Sequence, residues 1–178
     1  MKEIEVITGC MFAGKSTELI NRLKNAEENY ILIKPIIDNR DHGDFIITHD
    51  GLKNKAIRLN QLSEIYPLIN NINLIGIDEA QFFSQDIIID LKKLSSEGVR
   101  IIISGLEKDY LDNPFGSMNA IIKMSSSITR LTASCHHCNK SAIHSYRKDA
   151  SNTNQLAIGN NNLYEALCTT CLNEKKSL

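Results

Sequence analysis

Short runs of apolar residues alternate along this chain with stretches in which apolar residues recur at helical spacing. Apolar runs of about four to eight residues are typical of strands that are buried on both faces. The pattern predicts strands at residues 3–8, 30–33, 72–77, 99–103 and 128–131. Strands that alternate with helices indicate a mostly parallel sheet with helices on both faces, which is an α/β fold.

Two of the intervening stretches have the spacing of amphipathic helices. One carries its apolar residues on a single face within 19–23, and the other covers 87–94. Gly98 follows the second stretch closely, where a glycine commonly terminates a helix. A polar stretch at 38–54 predicts a loop or a hairpin.

The turn after the first predicted strand carries a phosphate-binding motif. Residues 9–16 (GCMFAGKS) match G-x-x-x-x-G-K-[ST], in which backbone N–H groups curl around an anion. Lys15 is placed to reach the outer phosphates of a nucleotide, and the Ser16 hydroxyl is placed to bind Mg²⁺. A helix begins directly after the loop, and its dipole adds partial positive charge at the phosphates. The fold is therefore predicted to be that of a P-loop NTPase.

A pair of acidic residues, Asp78 and Glu79, follows the predicted strand at 72–77. An apolar strand that ends in an acid is typical of the Walker B arrangement, whose Asp holds Mg²⁺ directly or through water. Two acids at a strand end are usually a solvated turn, but the phosphate-binding motif upstream favours the functional interpretation. Glu79 would then reach the same phosphate space and could act as a general base.

The C-terminal part of the chain contains two C-x-x-C pairs, Cys135 with Cys138 and Cys168 with Cys171. Four thiolates in two close pairs are typical of a structural zinc site with no open position for water. The intervening 29 residues, 139–167, predict an excursion of the chain between the pairs. His136 and His137 are interpreted as surface residues because four cysteines already fill a zinc shell.

Composition limits the classes of function. The chain has 178 residues, with 20 Lys and Arg against 21 Asp and Glu, so no general polyanion-binding surface is implied. No apolar run reaches the length of a membrane span, and no leader segment is evident, so a soluble cytoplasmic protein is expected. Composition shifts near Ser134, which predicts a nucleotide-binding domain at 1–133 and a small zinc-ribbon lid domain at 134–178.

Taken together, these motifs resemble those of the type II (cytosolic-type) thymidine kinases. The similarity covers nearly the whole chain and rests on residues beyond the generic motifs. The matching segments are 9–17 (GCMFAGKST), 75–83 (IGIDEAQFF), 105–116 (GLEKDYLDNPFG), 130–134 (RLTAS), and Ile158-Gly159 followed by Tyr164.

The resemblance implies transfer of the γ-phosphate of Mg·ATP to the 5′-hydroxyl of thymidine, and of deoxyuridine, in nucleotide salvage. It implies that Glu79 is the general base, that Ser16 and Asp78 hold Mg²⁺, and that a homotetramer forms. The implied ATP-binding residues are Gly9, Cys10, Met11, Phe12, Ala13, Gly14, Lys15, Ser16, Thr17, Asp38, Arg40, Asp78 and Gln81. The implied nucleoside-binding residues are Met11, Phe82, Leu106, Tyr110, Phe115, Ser145, Gln155, Leu156, Ala157, Ile158, Gly159 and Tyr164.

Two other classes of protein share the P-loop and the cysteine pairs. One is an ATPase whose zinc ribbon binds nucleic acid, and such a ribbon should be strongly basic. Residues 127–178 contain six Lys and Arg against three Asp and Glu, which is only mildly positive. The other is a nucleotide-dependent binding switch with negligible turnover. We expect thymidine and ATP as partners, and neither nucleic acid nor a membrane.

Overall fold

The computed structural model describes residues 2–38, 44–48, 51–148 and 163–177. Its strands are β1 (Ile4–Gly9), β2 (Tyr30–Pro35), β3 (Phe45–Ile47), β4 (Lys53–Lys55), β5 (Ile57–Leu59), β6 (Leu74–Ile77), β7 (Arg100–Gly105), β8 (Ser127–Leu131), β9 (Ala133–Ser134), β10 (Ser141–Ala142), β11 (His144–Arg147) and β12 (Tyr164–Leu167). Its helices are α1 (Lys15–Asn25), α2 (Ile87–Ser96), α3 (Met118–Met124) and α4 (Thr169–Lys176). Short 3₁₀ segments cover Leu62–Leu68 and Ala80–Phe82.

A six-stranded sheet forms the centre of the fold, in the order β5-β2-β6-β7-β1-β8, and every pairing in it is parallel. The predicted α/β fold with a mostly parallel sheet is confirmed. Strand β7 lies between β1 and β6, and Ile103 is in register with both Val6 and Ile77. The carboxyl ends of β1, β7 and β6 therefore lie side by side at one edge of the sheet.

The two faces of the sheet bury separate apolar clusters, which explains why its central strands are largely apolar. Val6 and Ile103 pack on one face with residues of α2 and α3. Ile7 and Ile102 pack on the other face with Leu19, Ile20 and Leu23 of α1. The predicted helices on both faces are thus confirmed. The polar stretch at 38–54, predicted to be a loop or a hairpin, includes β3, which pairs antiparallel with β4.

A group of charged side chains joins helix α1 to the amino ends of β1 and β7. Glu5 lies between two arginines, with Arg22 Nη1 at 3.2 Å and Arg100 Nη2 at 2.6 Å from its carboxylate. Arg22 also donates a hydrogen bond to Thr129 Oγ1 on β8, at 2.8 Å. This group lies at the edge opposite the phosphate-binding motif and is a structural support of the sheet.

The C-terminal part of the chain builds two small antiparallel pairs, β9 with β10 and β11 with β12, followed by α4. Its apolar side chains form a third cluster that includes three of the four paired cysteines. Cys10, Phe12 and Ala13 of the N-terminal motif pack into the same cluster. The division at 133/134 stays a prediction. Among the described residues, none of the helices has the length and apolar character needed to cross a membrane.

Candidate active site

The loop at residues 9–16 connects the end of β1 to the start of α1. Gly14 has φ 79° and ψ 22°, a left-handed conformation that glycine adopts without strain, and α1 begins at the next residue, Lys15. The Lys15 ammonium donates a hydrogen bond to the Cys10 carbonyl, at 2.9 Å. The loop therefore curls over its own lysine and leads into the first turn of a helix, where backbone N–H groups are available to bind an anion.

Asp78 and Glu79 lie at the same edge of the sheet, directly after β6. Glu79 has φ 52° and ψ 43°, a left-handed conformation that is strained for a residue with a side chain. Strain of this kind costs about 1–3 kcal/mol and is concentrated at functional sites. The chain thus turns sharply after Asp78, and the two carboxylates do not continue the alternation of a strand.

Two further side chains hold these acids in place. The Ser104 hydroxyl, on β7, donates a hydrogen bond to Asp78 Oδ1. The Gln81 amide donates through Nε2 to Glu79 Oε2, and its Oε1 accepts a hydrogen bond from the Leu106 backbone N–H at 3.0 Å. Gln81 therefore fixes Glu79 to the segment that follows β7, whereas its expected contact with ATP stays a prediction.

The aromatic residues that were predicted to surround the nucleoside form two groups. Phe82 and Phe115 meet edge to face, with ring centroids 5.6 Å apart. Tyr110 and Tyr164 both lie near the buried Arg147, whose guanidinium carbon is 5.0 Å and 6.0 Å from the two ring centroids. Burial raises the pKa of the Tyr164 hydroxyl, although the Arg147 charge opposes this, so the hydroxyl is neutral near pH 7.

The C-terminal strands contact the loop at residues 9–16 directly. The Met11 backbone N–H donates to Ser145 Oγ at 3.0 Å, and the Cys10 thiol donates to the Ala142 carbonyl at 3.3 Å. Met11 and Ser145, both predicted to contact the nucleoside, are thus brought together. The C-terminal strands also contact the segment between β7 and α3, because His144 Nδ1 on β11 lies 3.1 Å from Asp112 Oδ1.

Other predicted site residues are placed as follows. Ser16 and Thr17 lie in the first turn of α1, and Asp38 is 4% exposed just beyond β2. Residues Arg40, Gln155, Leu156, Ala157, Ile158 and Gly159 lie outside the described residues.

Sequence reasoning missed Ser104 and Arg147. Ser104 could have been identified from the sequence, because it is a polar residue that directly follows the apolar run of β7, RIIISG. Arg147 has no such signal in the sequence, because only the folded chain brings it close to Tyr110 and Tyr164.

The four paired cysteines form a compact cluster. The Sγ atoms of Cys135, Cys138, Cys168 and Cys171 all lie within 4.8 Å of one another, and Cys138 Sγ is 3.6 Å from Cys168 Sγ. Four sulfurs about 2.3 Å from a tetrahedral zinc ion are roughly 3.8 Å apart, so the cluster fits this metal. His136 and His137 are exposed, as predicted for residues outside the metal shell.

The fifth cysteine, Cys10, is buried in the loop rather than open to reagents, with 4% of its surface exposed. Burial raises the pKa of its thiol, and the Lys15 charge offsets this only in part. Only the thiolate of Cys10 is nucleophilic, so folding slows its alkylation at pH values below the ordinary thiol pKa. This protection is lost as the pH rises toward the raised pKa of the folded protein.

We expect iodoacetamide at pH 7.5 to modify Cys10 at least about tenfold more slowly in the folded protein than in urea. Mass spectrometry of the Cys10 peptide measures both rates, and equal rates would contradict the buried thiol.

Comparison with known proteins identifies the family. Residues 2–172 match the protein family described as "Thymidine kinase". The chain belongs to the thymidine kinase family. A thymidine kinase of Mesomycoplasma hyopneumoniae is 39% identical over 173 residues, with 94% of each chain covered. A thymidine kinase of Choristoneura fumiferana entomopoxvirus is 38% identical over 183 residues, with 98% of each chain covered.

Similarity to solved structures is distant. A structure of Pif1 helicases is 20% identical, with a TM-score of 0.43. The match covers 72% of this chain and 39% of the helicase chain. Domain III of the replication initiation protein DnaA from Thermotoga maritima is 14% identical with a TM-score of 0.44, and it covers 73% of this chain and 55% of that one. Membership of the thymidine kinase family rests on the family match and on the sequence relatives.

Proposed function

We propose that this protein transfers the γ-phosphate of Mg·ATP to the 5′-hydroxyl of thymidine. The observation that carries the proposal is the arrangement at the carboxyl edge of the parallel sheet. There the phosphate-binding loop after β1 and the acids after β6 flank the end of β7, in a chain of the thymidine kinase family. Such an edge is where ligands bind in open α/β sheets.

The residues at this edge divide into phosphate-binding and metal-binding groups. Backbone N–H groups of residues 9–16 and the Lys15 ammonium would hold the triphosphate. The Ser16 hydroxyl and the Asp78 carboxylate, which is oriented by Ser104, offer the oxygen ligands that Mg²⁺ prefers. When bound, this ion supplies neutralisation of the charge on the β- and γ-phosphates. Asp38 and Arg40 would lie near the same phosphates.

Glu79 would act as the general base in the transfer. Its carboxylate would accept the proton of the 5′-hydroxyl as the 5′-oxygen bonds to the γ-phosphorus and the bond to the β–γ bridging oxygen breaks. Asp78 is poorly suited to this step, because binding a cation lowers the basicity of a carboxylate. The left-handed turn at Glu79 and the hydrogen bond from Gln81 support a fixed position for the base.

The nucleoside would lie against Met11, Phe82, Leu106, Tyr110, Phe115 and Tyr164, with residues 155–159 and Ser145 contributing contacts from the lid. Deoxyuridine lacks one methyl group of thymidine, and an apolar pocket loses about 1–3 kcal/mol for such a group. We therefore expect deoxyuridine to react with a kcat/KM about 10- to 200-fold lower, which paired initial-rate assays measure. Equal values would mean that the methyl group is not enclosed.

A panel of acceptors tests the proposal as a whole. ADP release from Mg·ATP is measured with thymidine, with deoxycytidine, with single-stranded DNA and without acceptor. We expect release that depends on thymidine and is matched by formation of thymidine monophosphate. Release that depends on DNA would support instead the ATPase with a nucleic-acid-binding ribbon, and release in no mixture would support the binding switch.

Zinc at the four cysteines would be structural. We expect one zinc per chain, because the tetrahedral shell is already full. Replacing Cys168 by Ser should lower zinc below about half an equivalent and raise the KM for thymidine, since metal binding contributes free energy of folding. Elemental analysis and initial rates check both effects. Full activity in freshly purified reduced protein with less than about half an equivalent would contradict a structural role.

The assembly and the domain division are proposals that follow from the family resemblance. We propose a homotetramer in which each chain has a nucleotide-binding domain at 1–133 and a zinc-binding lid at 134–178. Light scattering on the zinc-loaded protein measures the mass of the assembly, and a monomer at micromolar concentration would contradict the tetramer.

A further inference from the structure

The loop at residues 9–16 is packed against the C-terminal part of the chain that carries the four paired cysteines. This contact suggests a function for His136, which is neither a metal ligand nor a predicted substrate contact. We infer that His136 is a positioning residue: its ring supports Phe12 and thereby keeps the loop in the shape that binds a triphosphate. The inference rests on the proposed role of residues 9–16 in phosphate binding.

Phe12 needs support because its backbone is strained. It lies in the middle of the loop with φ 65°, a conformation that a residue with a bulky side chain rarely adopts. A strained residue keeps such a conformation only when its surroundings determine it. In the phosphate-binding loop, a change at Phe12 would redirect the neighbouring N–H groups that face the anion.

The surroundings of Phe12 come from the ribbon. Its ring centroid is 5.1 Å from that of His136, with the two planes inclined by 54°, within the range of favourable aromatic pairs. Phe12 and Ala13 also pack against the cluster that contains Cys135 and Cys168. The loop is thus held from the side of the zinc site and not only by its flanking strand and helix.

His136 is itself fixed, although it is exposed. Its backbone N–H donates to the Ala166 carbonyl at 2.9 Å, and its Nδ1 accepts a hydrogen bond from the Ala166 N–H at 3.1 Å. Both bonds tie it to β12, just before the zinc-binding pair Cys168 and Cys171. Its neighbour His137 points elsewhere, with Nε2 at 3.0 Å from Glu165 Oε2. The two histidines therefore form a natural test and control pair.

The test is the binding of inorganic tripolyphosphate, which can contact the loop but not the nucleoside pocket, measured by isothermal titration calorimetry. We expect His136→Ala to raise its Kd about 3- to 10-fold. His136→Phe keeps a ring and should bind as the wild type does. His136→Asn keeps a hydrogen-bond acceptor for Ala166 but no ring, and it should be as weak as His136→Ala. His137→Ala should stay within about twofold of the wild type.

A second measurement separates this role from general damage to the fold. In steady-state assays His136→Ala should raise the KM for ATP by the same factor, while the KM for thymidine stays within about twofold. Each variant is compared at one zinc per chain. If His136→Ala loses zinc, Phe12→Leu removes the ring from the other side of the contact and should give the same increase in Kd. The double variant should be no weaker than either single variant.

The outcomes separate the role of His136 from the phosphate site itself. Equal tripolyphosphate binding by the wild type, His136→Ala and Phe12→Leu would overturn the role of His136, and so would an equal loss in His137→Ala. A wild-type protein that does not bind tripolyphosphate would contradict the proposed phosphate site itself.

Discussion

Replacing Lys15 by Ala is expected to reduce kcat by about 10²-fold or more while the protein stays folded. Lys15 is the residue that would place a positive charge at the β- and γ-phosphates, and loss of one group that stabilises the transition-state charge typically costs this much. Its side chain is largely buried and donates to the Cys10 carbonyl, so the variant also loses one hydrogen bond inside the loop. Thymidine-dependent ADP release measures the effect.

A matched control lies on the same helix. Lys24 is exposed in α1, and Lys24→Ala should leave kcat within about twofold. Thermal unfolding shows whether Lys15→Ala has lost more than the roughly 1–3 kcal/mol that an unpaired buried carbonyl costs. A folded Lys15→Ala variant that retains more than about a tenth of the wild-type kcat would mean that residues 9–16 are not the catalytic phosphate site.

Local patterns were enough to predict most of the central fold. Strands β1, β2, β6 and β7 are largely buried, so each contains an apolar run that can be recognised without knowledge of its neighbours. The edge strand β8 is mostly exposed and has a less apolar sequence, SITRL. Helix α3 was missed because it has seven residues, and only Met118 and Ile121 among them are buried. Such a short helix gives too few turns for a periodic pattern to emerge.

The components of the candidate site were evident in the sequence, but their contacts were not. The motif at residues 9–16, the acid pair and the cysteine pairs each have a characteristic spacing. The order of the strands has no such signature, so the insertion of β7 between β1 and β6, which brings Ser104 to Asp78, could not be predicted. The bond from Cys10 to Ala142 joins residues 132 positions apart, and only the folded chain reveals it.

The conformation of Glu79 is the feature of the site that most constrains its chemistry. Successive side chains of a strand point to opposite faces, so two adjacent acids could face apart if the strand continued. Instead β6 ends at Ile77 and Glu79 takes a left-handed conformation. The sharp turn gives its carboxylate a direction that the strand does not dictate, and Gln81 then holds it.

Replacing Glu79 by Gln should therefore separate proton transfer from binding. The variant keeps the size of the side chain and an oxygen that can accept from Gln81, but it loses the proton acceptor. We expect kcat to fall by at least about 10²-fold, since a positioned general base contributes roughly 10²–10⁴-fold. Affinities for ATP and thymidine should change by less than about tenfold. Initial rates and equilibrium titrations measure the two effects separately.

The companion variant Asp78→Asn shows whether the two acids have different tasks. Removing a ligand charge should raise the Mg²⁺ concentration needed for half-maximal rate, an effect that Glu79→Gln should not have. If Glu79→Gln keeps its kcat and only raises the KM for thymidine, Glu79 orients the nucleoside. The base would then have to be sought elsewhere, because Asp78 would hold Mg²⁺ and binding a cation lowers the basicity of a carboxylate.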